Sequence, residues 1–182
     1  MMRKINVICA IAALMAAKVM IGQAPPSAPA GPTGPAAEAQ RSYTTLKGNI
    51  LKAADKTPAE DYSFRPTPEV RTFARVVNHV TEAQLRTCGA VNRTTANDLP
   101  KVPAETADKA AIIDALKGSF AECDKAFASA TDTNLGDLFD VFNAKRSRVG
   151  ILWGTVSHDN EQYATLALYM RLKGLIPPTS EK

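Results

Sequence analysis

His158 and Gln162 stand four residues apart inside SHDNEQY, Ser157 to Tyr163, within a long apolar-periodic run. On a helix that spacing puts two side chains on one face about one turn apart, as in helical zinc motifs where one helix gives two ligands to one ion. The chain has 2 histidines, and the other, His79, is bordered by Val76, Val80 and Ala83 at the edge of a second apolar stripe. Two facing helices could bring His79, His158 and Gln162 to one point and leave coordination positions for water or substrate. Imidazole suits zinc or nickel because its lone pair is free near neutral pH, whereas a neutral amide oxygen is a much weaker donor. Gln162 therefore reads as a poor third ligand or as an anchor for a metal-bound water. Glu161 is the candidate general base, and Asp159 and Glu82 are further acceptors beside the histidines. The plain alternative makes each histidine a satisfied polar residue at a core edge, and Asp159, Asn160 and Glu161 a solvated helix face.

Other chemistries lack their residues. No glycine-rich phosphate loop follows a strand, no serine has the context of a nucleophile elbow, and Cys88 and Cys123 do not form a C-x-x-C pair. Tyr163, Tyr169 and Trp153 read as core or packing residues, and no basic stripe with interleaved aromatics offers a nucleic-acid surface.

The elements that must position the histidines are helical. Tyr43, Leu46, Ile50 and Ala54 share one face of a first helix, about Glu38 to Ala54. Thr67-Pro68-Glu69 reads as the opening of a second helix that frays near Ala90, with Thr67 capping, Pro68 in the first turn, and Val70, Phe73, Val77, Val80 and Gln84 as its stripe. Ile113, Leu116, Phe120, Cys123 and Phe127 mark a third helix, about Ala107 to Ser129, and a fourth runs from about Ala144 to Lys173. Between these last two, DTNLGDLFDVF reads as a turn at Gly136 with a short helical piece, and strand signals are weak throughout. The connection at 91–106 is longer than an antiparallel neighbour needs, so helices 2 and 3 are expected to run parallel through a crossover. The expected fold is all-α, a four-helix bundle.

The first residues read as an export signal. MMRK is a basic n-region and INVICAIAALMAA an apolar h-region, which Lys18 makes too short to span a bilayer. Residues 1–24 are the expected signal peptide, with cleavage as late as 30, followed by a Pro/Ala-rich linker at 25–38 and the bundle at 39–180. Loss of Arg3, Lys4 and Lys18 takes the formal charge from +4 to +1, which withdraws the nucleic-acid reading that a basic chain invites. The expected location is periplasmic or secreted, with no stable membrane span once the signal is gone. Cys88 and Cys123 are then a disulfide candidate, since comparable depths in parallel helices would let them meet. Two buried free thiols are the alternative.

ADKTPAEDYSFRPTPEVRTFARVVNHV (54–80) and SHDNEQYATLALYMRLKGLIPPTS (157–180) resemble the DinB-like, or DinB/YfiT-like, superfamily over roughly residues 39–180. The resemblance implies an up-down-down-up bundle. It also implies a divalent-metal site of three histidines, one from helix 2 and two from an H-x-x-x-H in the last long helix. Those positions fall on His79, His158 and Gln162, so this sequence departs from the family at the third. Relatives include thiol-dependent transferases and isomerases, and the family name does not imply DNA binding. The combined reading is an exported bundle with a weak or degenerate metal site, acting as a metal-dependent hydrolase or transferase on an unknown small molecule. A non-catalytic bundle that binds a small ligand or protein partner in the former metal pocket is the alternative. A homodimer through exposed helix faces is compatible with either, and no residue selects it.

Overall fold

Pro35 opens helix α1 (Pro35–Lys56) because the first turn has no use for the N–H that proline lacks. The helix starts three residues before the expected Glu38, and its free end is held from a distance: Asp132 Oδ1 accepts from Ala36 N at 2.9 Å. Gly34, at φ 110°, makes room for that carboxylate, since a Cβ there would lie 2.0 Å from Asp132 Oδ2. The computed structural model describes residues 31 and 33–182; the expected signal peptide and half of the linker lie outside the described residues.

Helix α2 (Phe73–Asn92) begins later than expected. Thr67, Pro68 and Glu69 form a turn, closed by Val70 N on Thr67 O, and the cap is Thr72, whose side chain accepts from Arg75 N at 3.0 Å. Phe73 N donates back to Phe64 O at 2.9 Å, which ties the segment before the helix into a loop. The apolar stripe therefore starts at Phe73, and Val70, expected within it, is 40% exposed. Helix α3 spans Lys109–Ala128, capped by Asp108, and helix α4 spans Arg148–Leu172, capped by Ser147.

A second correction falls between α3 and α4. In place of a short helical piece there is a hairpin, strands β1 (Leu138–Val141) and β2 (Ala144–Ser147), antiparallel with Leu138 opposite Ser147 and Val141 opposite Ala144. Phe139 and Val141 point inward while Leu138 and Asp140 face out, the period of two that a half-buried strand requires. The chain reverses at Phe142 and Asn143, with φ of 54° and 59°. Two successive left-handed residues match the tight turn whose twist suits a hairpin. Helix α4 consequently begins at Arg148, not near Ala144.

The helix directions can be read from the links between them. Gln84–Ser119 and Cys88–Cys123 both join residues 35 apart, so α2 and α3 advance together and are parallel. Between α2 and α4 the separation falls along α2, from 79 at His79–His158 to 68 at Thr87–Thr155, so those two are antiparallel. Between α1 and α3 it falls from 96 near Ala36 to 54 at Asp55–Lys109, again antiparallel. The result is an up-down-down-up bundle, with the crossover at 93–108 returning the chain to the start of α3. The disulfide forms: Cys88 and Cys123, both fully buried, are bridged with their Cα atoms 4.9 Å apart. Of the apolar stripes, those of α1 and α3 are buried in full.

Candidate functional site

The antiparallel pairing of α2 and α4 sets His79 opposite His158. Their Nε2 atoms are 3.1 Å apart and the rings meet edge to face, with centroids 4.9 Å apart and planes at 67°. Each side chain is about three-quarters covered, with 27% and 26% of its surface exposed. Without an ion the contact is an N–H···N hydrogen bond. Two imidazoles bound at about 2.0–2.1 Å to one ion have nitrogens about 2.9 Å apart at a right angle and about 3.4 Å apart at the tetrahedral angle. The observed spacing lies between these limits, so the pair fits a shared cation.

The outer nitrogens face carboxylates. His79 Nδ1 lies 3.9 Å from Glu82 Oε2, and Glu82 is itself gripped by both terminal nitrogens of Arg75 at 3.0 and 2.9 Å. His158 Nδ1 lies 3.5 Å from Asp159 Oδ1, and neither of those two atoms has a hydrogen-bond partner. Asp159 is no part of a solvated face, for it is 1% exposed, and its other oxygen accepts from Gln84 Nε2 at 2.8 Å. Burial pushes its carboxyl above the usual carboxylate range, partly opposed by His158 and Gln84. Burial also holds the His79 imidazole below its ordinary value, reinforced by Arg71, His158 and Arg75 and opposed by Glu82. That shift favours the neutral imidazole, the form a ligand needs. The arginines that add to it also make the surroundings less hospitable to a cation.

The other two sequence candidates lie together about one turn along α4 from His158. Gln162 is buried and Glu161 exposed, and both line a depression of about 390 Å³ with Arg71, Thr165 and Tyr169. No hydrogen bond joins either side chain to a histidine among the described residues. Nor do those residues contain a group of three or more histidine, cysteine, aspartate or glutamate side chains arranged to hold a metal. The strong donors number two, both imidazoles. Tyr163 and Tyr169 are buried as expected, through bonds to Thr179 and to the Arg71 carbonyl. Trp153 departs from its packing expectation: it is 39% exposed and lines a groove of about 590 Å³ between α1 and α4.

Sequence reasoning missed the depth of support behind His158. Gln84 and Ser119 are fully buried and bonded to each other at 2.7 Å. The available signal was a glutamine occupying a stripe position, where its amide has to find partners inside the bundle.

A family model described as the DinB superfamily matches residues 42–166. The chain belongs to the DinB superfamily. Two solved DinB-like proteins share the fold. One, from Bacillus cereus ATCC 10987, is 23% identical, with a TM-score of 0.62 over 77% of this chain and 93% of its own. Another, YjoA from Bacillus subtilis, is 14% identical, with a TM-score of 0.60 over 80% of this chain and 99% of its own. No curated protein matches the chain. Of the ligand positions implied by the DinB resemblance, two are histidines in mutual contact and the third is an amide one turn along α4 from His158.

Proposed function

We propose that this DinB bundle holds a divalent metal, zinc or nickel, weakly between His79 and His158 and serves as a metal-dependent hydrolase or transferase on a small molecule. The supporting observation is the 3.1 Å approach of the two Nε2 atoms, each from a ring whose outer nitrogen faces a carboxylate. Metal-bound histidines typically have such a carboxylate behind them. A bound ion of this kind supplies Lewis acidity and lowers the pKa of a coordinated water or thiol. The chain's own residues supply the rest. His79 and His158 grip, Gln162 donates weakly or anchors a water at the adjoining depression, and Glu161 on its rim takes up a proton. Arg71, in the same lining and without an ion pair among the described residues, offers a charge to an anionic portion of the substrate. Weak binding follows from two strong donors in place of three and from the positive surroundings of His79. The proposed setting is outside the cytoplasm, in the periplasm or after secretion, where the Cys88–Cys123 bridge would persist.

Metal analysis of protein purified without a histidine tag tests this. Stoichiometric zinc or nickel, lost in His79→Ala and in His158→Ala, is the expected result. Protein that takes up no metal, even from a slight excess of zinc, would leave the second reading: a non-catalytic bundle that binds a ligand or partner. The amide at position 162 and the arginines around His79 favour that second reading.

A further inference from the structure

Resting on the histidine pair just proposed as a ligand set, we infer that Asp159 is its positioning residue. It is held by Gln84 of α2, which Ser119 of α3 holds in turn, and it decides which nitrogen of His158 carries the proton.

With Asp159 in its ionised form, the direction of the hydrogen bonds is set. A carboxylate only accepts, so the Gln84 amide must turn its NH2 toward Asp159 Oδ2, 2.8 Å away. Its carbonyl oxygen then requires a donor, and the Ser119 hydroxyl, whose single proton also has the Leu116 carbonyl within reach at 2.8 Å, supplies one at 2.7 Å. Asp159 is 1% exposed and Gln84 and Ser119 are 0% exposed, so water does not compete for these bonds. With Oδ2 engaged, Asp159 Oδ1 has no partner, and 3.5 Å away His158 Nδ1 has none either. Facing an ionised carboxylate, His158 Nδ1 is complementary in one tautomer only, whereas a protonated Asp159 would donate to a bare Nδ1 and reverse the assignment. A proton on Nδ1 points at the carboxylate; its absence would set a lone pair against the lone pairs of Oδ1 in a dry interior. The Nδ1–H tautomer leaves the Nε2 lone pair free, and Nε2 is the atom 3.1 Å from His79. In the N–H···N contact the proton then belongs to His79 Nε2, which has to give it up when a cation binds; the other tautomer would put it on His158 Nε2 instead.

The chain of bonds brings α3 into a site that it does not touch. Cys88 and Cys123 follow Gln84 and Ser119 by four residues each, one turn along the same faces, so the disulfide clamps the register that aligns serine with glutamine. Cys123 Sγ also lies 3.9 Å from Gln84 O.

Asp159→Asn separates a positioning role from a merely structural one. Its carbonyl can still accept from Gln84, which turns its NH2 toward His158 Nδ1 and favours the proton on Nε2. Nitrogen NMR of the histidines in metal-free protein, at about pH 8.5 where imidazole is neutral, reads the tautomer directly. The expected result is Nδ1–H in the wild type, Nε2–H in the variant, and zinc affinity roughly 10–100-fold lower in the variant. Ser119→Ala, which only frees the Gln84 amide to turn, is expected to give a mixture of tautomers and a smaller loss; it carries the test should Asp159→Asn fail to fold. A His158 tautomer unchanged in the variant that folds overturns the inference, whatever the zinc affinity. A switched tautomer with no zinc uptake by either protein upholds the positioning role and removes the metal reading.

Discussion

Helix α2 has two working faces, and they are built differently. Toward α3 it is closed: the contact is bridged by a disulfide, and the Ser119–Gln84 bond beside it is fully satisfied. Toward α4 it carries the histidine contact, and beside that contact lie two of the buried side-chain atoms without a partner, His158 Nδ1 and Asp159 Oδ1. Unsatisfied groups cost stability, so they persist where the surrounding packing fixes them and where a ligand can use them. The α3 side is the anvil that lets the α4 side keep atoms poised.

The largest effect should come from opening the closed face. Removing the bridge in Cys88→Ala/Cys123→Ala frees a loop of 35 residues in the unfolded chain, expected to cost about 2–4 kcal/mol. Chemical denaturation with and without reductant checks this, since reduction of the wild type should reproduce most of the loss. A change below about 1 kcal/mol in both would mean that α2 and α3 hold their register without the bridge.

Next is a gain on the open face. Gln162→His restores an imidazole at the third family position, and zinc affinity measured by competition with a chelator should rise roughly tenfold or more, about 1.4 kcal/mol. No gain would show that position 162 serves the depression and not the histidines. The same substitution should leave unfolding in the absence of metal within about 1 kcal/mol of the wild type, as few bonds are lost.

A third effect lies at the end of the closed face, where Glu122 pins the crossover. Burial pushes its carboxyl up, but hydrogen bonds from Thr94 and Asn92 and the charge of Lys125 outweigh that and leave it below its ordinary value of 4.5. A lowered folded value means that the stabilisation is present above about pH 4.5 and is lost as pH falls through the folded value. Glu122→Gln should cost about 1–2 kcal/mol at pH 7 and flatten the acid limb of a stability–pH profile, measured by urea denaturation from pH 7 downward. An acid limb identical to that of the wild type would move the pin elsewhere.

The sequence disclosed the bundle because its stripes are strict: Tyr43, Leu46 and Ile50, or Leu116, Phe120 and Phe127, leave one way to bury each helix. It disclosed the histidine pair through spacing and the family pattern. It mistook the start of α2, because Thr67-Pro68-Glu69 and Thr72 both carry capping chemistry, and the choice goes with a loop-closing bond across nine residues, Phe73 N to Phe64 O. Asp159 was readable only as an acid next to a histidine. Its burial depends on Gln84, 75 residues away, and no local pattern reports that.

The hairpin before α4 should give the smallest response, and it tests why the strand signal was faint. Its turn holds Phe142 at φ 54°, a conformation that costs an aromatic residue more than it costs asparagine or glycine. What holds Phe142 there is modest: the residue is 53% exposed, with the Arg86 guanidinium 5.2 Å from the ring centroid. Asparagine at 142 followed by glycine at 143 is the pair that such a turn prefers. Phe142→Asn/Asn143→Gly should therefore stabilise the protein by up to about 1 kcal/mol, read as a rise in thermal midpoint, while zinc affinity stays unchanged. A lower midpoint would mean that the Phe142–Arg86 contact outweighs the backbone cost, and that the turn is kept for what its ring touches.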